Sequence, residues 1–243
     1  MSCYDALAPW YDSLTGDIPY DEFISFYEAE FAACGGEFRL LLDLCCGTGT
    51  LTWMLAEKGY EMIGVDMSVE MLMEAQSKDS PATTRPLFLC QQAQELDLYG
   101  TVDACICSLD GMNYIEPEAL PELFRRLDLF IRPGGLLIFD IRTPEILKSL
   151  DGQVFVDEKD DVLCLWRADY DEELPGIVYG MDIFSRRGRL WEREGEEHIE
   201  YAYKPEYLEE LLRARGFVDV KLHHDCPQGD KGRLFISAKR KEN

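Results

Sequence analysis

Along the first 150 residues, short apolar runs alternate with longer amphipathic stretches, and the rhythm changes after that point. Leu40–Leu44 is apolar except for Asp43 and predicts a buried parallel strand. Gly47 and Gly49 follow in a turn. Thr50–Lys58 then carries Leu51, Met54 and Leu55 at helical spacing, with Gly59 expected just past the helix end. Met62–Val65 predicts a second buried strand ending at Asp66. Ahead of this unit, Asp21–Ala33 spaces Phe23, Ile24, Phe26, Tyr27 and Phe31 among acids, as an amphipathic helix does. Behind it, Ser68 is a suitable N-cap for a helix reaching Ser77. Further strands are expected at Pro86–Cys90, Thr101–Cys107 and Leu136–Ile141. The last follows a helix over Leu120–Ile131 and a Pro133-Gly134-Gly135 turn.

From Asp151 to about Tyr201 the runs become short and partly alternating: Gln153–Val156, Val162–Tyr170, Ile177–Ser185 and Leu190–Arg193. That pattern predicts antiparallel strands, over a stretch too long for a simple crossover loop. Tyr203–Arg215 reads as a helix stopped by Gly216, and Val218–His223 and Leu234–Lys239 as the final strands. The expected organisation is one α/β domain from residues 1–150 and 202–243, with an arm and helix over 1–35. Residues 151–201 form an inserted antiparallel sheet that caps the site.

Composition narrows the function classes. At 47% apolar residues the chain has material for a core. The net charge of −23, from 47 acids against 24 bases, argues against a nucleic-acid partner, because phosphate binding needs clustered Lys and Arg. No apolar run approaches membrane-spanning length, and MSCYDALAPWYD lacks the basic and apolar regions of a secretory signal. The nine cysteines include no C-x-x-C pair, and only three histidines are present. The expectation is therefore a cytoplasmic protein with reduced thiols and no metal site.

The chemistry concentrates in Leu40–Asp66. Gly47 and Gly49 let backbone approach a ligand closely. Asp66 stands 19 residues past Gly47, about the distance expected of an acid on ribose hydroxyls. A dinucleotide loop would carry a third glycine where Thr52 stands, and it would present amides to a pyrophosphate. Asp43 at the mouth of the loop opposes a pyrophosphate and suits a ligand with a cationic group, such as the ammonium of S-adenosylmethionine.

With DLCCGTGT as a first motif, GVDMS carrying the second acid and FIRPGGLLIFDI as a fifth-strand segment, the chain resembles the class I S-adenosylmethionine-dependent methyltransferases. The resemblance implies a Rossmann-like, doubly wound, seven-stranded, mostly parallel sheet whose last strand is antiparallel. It also implies a cofactor site at Asp43, Cys45, Gly47, Gly49 and Asp66, with Cys45 standing where the family usually has glycine. Met67 is expected on the adenine face, Gln92 replaces an acid that accepts from the adenine amine, and Ala93 offers its backbone N–H. Tyr4, Ala8, Tyr11 and Asp12 match a Y-x-x-x-A-x-x-Y-D arm, which is either a hydrophobic arm packed on the domain or a lid over the cofactor; Tyr11 is counted with both cofactor and chemistry. In an open parallel sheet the ligand lies beyond the strand ends near the point where strand order reverses, so Ser108 and Asp110 are expected to face the methyl group or its acceptor.

The resemblance adds His198, in Glu196-Glu197-His198-Ile199-Glu200, as a candidate base, since an E-E-H-x-E pattern recurs in sugar-amine and glycine-type N-methylating enzymes. The alternative is an ordinary strand histidine. His223-His224-Asp225 follows a strand and marks its exit. The expected function is transfer of a methyl group to N or O of a small-molecule acceptor, with S-adenosylhomocysteine as product. The expected state is a monomer, or a homodimer through the inserted sheet. Two other readings remain: an NAD-type oxidoreductase, and a cofactor-binding regulatory or scaffold protein without turnover.

Overall fold

The computed structural model describes residues 4–242. Its main sheet has seven strands: β1 (Leu40–Leu44), β2 (Glu61–Asp66), β3 (Leu87–Cys90), β4 (Val102–Cys107), β5 (Ile131–Arg142), β10 (Phe217–His223) and β11 (Arg233–Arg240). Their order is β10-β11-β5-β4-β1-β2-β3. Strands β1 to β5 pair in parallel, and β11 runs antiparallel to both β5 and β10. Strand order reverses between β1 and β4, where the first loop and the turn after β4 meet.

Alternate side chains of the sheet feed two cores, as the two-residue period requires. Leu42, Leu44, Phe139 and Ile141 pack with α5 (Leu120–Phe130) and α7 (Pro205–Ala214). Leu41, Ala104, Ile106, Leu136 and Ile138 pack on the other face with α2 (Tyr20–Cys34) and α3 (Thr50–Glu57). Helix α4 (Val69–Ser77) starts at Ser68, whose hydroxyl accepts from Met71 N at 3.1 Å. A short helix α1 (Ala8–Leu14) lies in the arm, and α6 (Pro144–Ser149) follows β5.

The second sheet has four antiparallel strands, β6 (Gln153–Lys159), β7 (Val162–Asp171), β8 (Gly176–Arg187) and β9 (Leu190–Tyr201), paired in chain order. One of its faces meets the arm: Leu7 joins Val162, Cys164, Met181 and Ile183 in a buried cluster.

Two boundaries differ from the sequence reading. The Pro133–Gly135 segment lies inside β5 rather than before it. The register with β4 slips there, and a Cβ on Gly135 would sit 2.6 Å from the Asp103 carbonyl. The segment is a bulge pressed against its neighbour, which glycine permits. Strand β9 continues eight residues past Arg193; Glu194 and Glu197 stand at exposed positions there, while Glu196 is half-buried and Glu200 buried, so the inward face carries glutamates that hide the alternation.

Candidate active site

The loop after β1 is built by backbone rules. Cys45, Gly47 and Gly49 have φ of 57°, 53° and 69°, the left-handed region that disfavours a side chain. Cys45 therefore occupies a glycine-type position, and the structure makes room elsewhere. A Cβ on Gly111 would lie 2.9 Å from the Cys45 Cβ and 2.9 Å from Cys107 Sγ. The side chain present at 45 uses the volume left free at 111. Thr52, at the position where a dinucleotide loop wants glycine, instead donates its hydroxyl to Asp43 Oδ2 at 2.5 Å.

Two carboxylates sit at the tips of β1 and β2. Asp66 Oδ2 accepts from Gly47 N at 2.8 Å and Oδ1 from Ser68 N at 2.9 Å, so each oxygen keeps acceptor capacity for a ligand. Asp43 is 2% exposed, and burial pushes its carboxyl up to about 7 against the opposing pull of the Thr52 hydroxyl. An ammonium beside it would restore the carboxylate.

These acids open onto one cavity of about 400 Å³. One end is the loop with Asp66, Met67, Gln92 and Ala93. Further lining comes from Ser108, from Tyr4, Tyr11 and Tyr20, from Tyr114 after β4, and from Ile199 and Tyr201 of β9. The volume falls within the range of small-molecule sites. The charged residues among its lining are Asp43, Asp66, Glu116 and Glu197, all acids. Among the described residues no group of three or more His, Cys, Asp or Glu is arranged to hold a metal ion, and no helix is long and apolar enough to cross a membrane.

The arm is tied down at both ends. Asp12 accepts from Thr48 Oγ1 at 2.5 Å and pairs with Lys78 Nζ at 2.7 Å, beside the glycine loop. Glu196 of β9 accepts from the backbone of Ala6 and, at 3.3 Å, of Leu7. Tyr4 and Tyr11 stand between these anchors with ring centroids 5.9 Å apart, and burial raises both phenols above their ordinary value.

Three expected positions stand differently. His198 is fully buried on the face of β9 that it shares with Glu200; it does not itself line the cavity, although Tyr4 and Tyr114 beside it do. It bonds Glu196 Oε2 through Nε2 at 2.9 Å and lies edge-on to Tyr4 at 4.2 Å. Strand alternation explains this, since Glu197 and Ile199 take the cavity face. Asp110 does not line the cavity either. It pairs with Arg233 Nη1 at 2.5 Å and Arg142 Nε at 3.1 Å. Burial alone would raise its carboxyl, but the two guanidinium groups hold it below the ordinary value. Gln92 does line the cavity, but it is exposed and its amide oxygen accepts from Gln94 at 2.7 Å. Ser108 does line the cavity and shares a 2.6 Å hydrogen bond with Tyr27.

Sequence reasoning missed the frame behind Asp110. Leu109 and Asp110 both have left-handed φ, 56° and 67°. Asp140 of β5 holds that turn by accepting from both backbone N–H groups at 2.8 and 2.9 Å, and Arg233 pairs with Asp140 in turn. Asn113 links the ends of β5 and β9 by bonding Arg142 and Tyr201 backbone. Only the acid at the end of the fifth apolar run hinted at this.

A family model described as a methyltransferase domain matches residues 41–135. YqeM of Bacillus subtilis (strain 168), a protein named as a methyltransferase, is 31% identical over 98% of this chain and 97% of its own length. A crystal structure of an S-adenosylmethionine-dependent methyltransferase from Clostridium acetobutylicum ATCC 824 is 28% identical. It aligns over 99% of this chain and 100% of that one with a TM-score of 0.82. The sugar N-methyltransferase KedS8 from Streptoalloteichus sp ATCC 53650 shares the fold at 21% identity, over 100% of this chain and 97% of that one, again with a TM-score of 0.82. Thr52 bonded to Asp43 and end-to-end similarity to YqeM leave the oxidoreductase reading without support: the chain belongs to the class I S-adenosylmethionine-dependent methyltransferase superfamily.

Proposed function

We propose that the protein moves a methyl group from S-adenosylmethionine to N or O of a small-molecule acceptor, and that donor and acceptor share the cavity between the glycine loop and the tyrosine-lined end. The observation that carries this reading is the single continuous cavity, lined by two strand-tip acids and by arm and β9 side chains. On this reading residues 1–150 and 202–243 hold the donor, and 151–201 with the arm enclose the acceptor.

In this assignment Asp66 holds the ribose hydroxyls, Gly47 and Gly49 admit the backbone to close approach, and Asp43 faces the ammonium. Cys45, Met67 and Ala93 line the nucleoside path, and Ser108, Tyr4 and Tyr11 line the region of transfer. When bound, the donor supplies an electrophilic methyl carbon. The protein's part is orientation and exclusion of water, which together account for about 7–11 kcal/mol of a barrier. A lining whose charged groups are all carboxylates favours a neutral or cationic acceptor over a phosphate or a carboxylate. Likeness of fold to a sugar N-methyltransferase agrees with an amine. His198 serves in this reading to brace Tyr4 rather than to touch substrate.

The test pairs calorimetry against S-adenosylhomocysteine with methyl-labelled S-adenosylmethionine offered to a panel of small amines, amino sugars and phenols. Binding with label incorporated into a panel member supports the reading. Binding without any transfer favours a non-catalytic cofactor-binding protein, and absence of binding overturns the assignment.

A further inference from the structure

Glu200 of β9 is 3% exposed and incompletely satisfied. Its Oε2 is buried without a hydrogen-bond partner among the described residues. Its Oε1 lies 4.0 Å from Arg142 Nη1 and 3.5 Å from the Tyr114 hydroxyl. A buried carboxyl left this way is costly, and such groups concentrate where protons are handled.

A row of hydroxyls leads to it from the cavity. Tyr4 Oη donates to Tyr114 Oη at 2.7 Å, and both rings line the cavity. Tyr114 then points to Glu200. The 3.5 Å step is longer than a formed O–H···O bond, as such contacts often are before substrate closes a site. Of the other candidates, Asp110 is held by two arginines; His198 is bonded to Glu196 through Nε2, while its Nδ1 is buried without a hydrogen-bond partner among the described residues and lies off the Tyr4–Tyr114 row of hydroxyls.

Resting on the methyl-transfer reading above, we propose that Glu200 is the terminal acceptor for the proton lost by the methyl acceptor, reached from the cavity through Tyr114, with Tyr4 hydrogen-bonded to it. The proton on the nucleophilic N or O passes to Tyr114 Oη as the proton of Tyr114 passes to Oε1 of ionised Glu200. The lone pair of the nucleophile forms the new bond to the methyl carbon, and the C–S bonding pair stays on the donor sulfur. Tyr114 is unchanged, Glu200 ends as a carboxylic acid, and its proton returns to solvent along the same row after product release.

The charged and titratable groups facing Glu200 are Arg142 from β5, Asp110 and Tyr114 from the turn after β4, Arg233 from β11, Tyr179 from β8 and Tyr4 from the arm. Burial dominates over the two arginines and pushes the carboxyl up to about 8. That value lies close to those of amines, which suits proton exchange with an amine acceptor.

The experiment is a pH titration of the free protein by infrared difference spectroscopy, with wild type, E200Q and Y114F. Wild type is expected to lose a protonated-carboxyl band with a midpoint near 8, distinct from the Asp43 transition near 7. E200Q lacks the band near 8, and Y114F moves its midpoint upward because the Tyr114 hydroxyl that favours the carboxylate no longer faces it. With an acceptor from the panel, kcat of E200Q falls about 10²–10⁴-fold and loses its rise with pH, E200D regains part of it, and the S-adenosylhomocysteine Kd stays within about two-fold. Absence of the wild-type band, its persistence in E200Q, or an unchanged kcat–pH profile in E200Q overturns the proposal. Failure of wild type to bind S-adenosylhomocysteine would instead overturn the methyl-transfer reading beneath it.

Discussion

Replacing Asp66 by alanine tests the cofactor assignment most directly. In the free protein each Asp66 oxygen accepts one backbone N–H, from Gly47 and from Ser68. A carboxylate has about four acceptor sites, so about two remain for ribose hydroxyls. Hydrogen bonds to a charged group contribute about 1.5–3 kcal/mol each, and water entering the gap recovers part of that. The net loss in ligand binding is then about 1–3 kcal/mol, or roughly 5–150-fold in Kd. Asp66→Asn keeps one acceptor oxygen and should fall between wild type and alanine. Calorimetry against S-adenosylhomocysteine reads the affinity, and a parallel thermal melt reports the separate cost of leaving two loop N–H groups without a partner. A folded Asp66→Ala variant whose Kd stays within about two-fold of wild type would remove this side chain from the cofactor site.

Four other expectations follow from the same geometry. Asp43 is raised to about 7 from an ordinary 3.8, so the folded state holds a proton that the unfolded chain has released. Stability should therefore fall as pH rises from about 4 to 7, by at most about 1.4 kcal/mol per pH unit, and Asp43→Asn should flatten that slope in denaturant titrations. For the same reason, S-adenosylmethionine binding at pH 7 should release about half a proton, detected as buffer-dependent binding enthalpy and lost in Asp43→Asn. Gly111→Ala should destabilise by about 1–3 kcal/mol through overpacking on Cys45 and Cys107; adding Cys45→Gly should recover part of it, and strict additivity would refute the shared-volume explanation. Lys78→Ala removes one partner of Asp12 and should speed S-adenosylhomocysteine release in stopped-flow measurements with little change in melting temperature, since a half-exposed pair contributes about 1 kcal/mol or less. An unchanged off-rate would separate the arm from cofactor retention.

The main sheet was legible because its parallel strands read as short apolar runs, those of β1 and β2 carrying a carboxylate at the tip, and parallel strands buried on both faces leave little room for polar residues. The loop acids were legible for the same reason. The far end of β9 was not, because its glutamates obscure the alternation; the pattern around His198 could be seen, but not which face it takes. Asp110 was placed by topology at the correct strand end. What decides its state is Arg233, 123 positions away and brought beside it by an antiparallel last strand. Glu200 and Tyr114 are likewise ordinary residues in sequence, and their significance comes from burial and mutual distance alone.

The arm touches the glycine loop through Asp12 and the small sheet through Leu7 and the Glu196 anchor, so it reports on both ends of the cavity at once. A donor that favours the docked arm lowers the cost of docking for the second ligand, and thermodynamic reciprocity makes the benefit equal in both directions. Affinity for either ligand measured alone will then understate affinity in the ternary complex, and the shortfall measures the free energy of docking the arm.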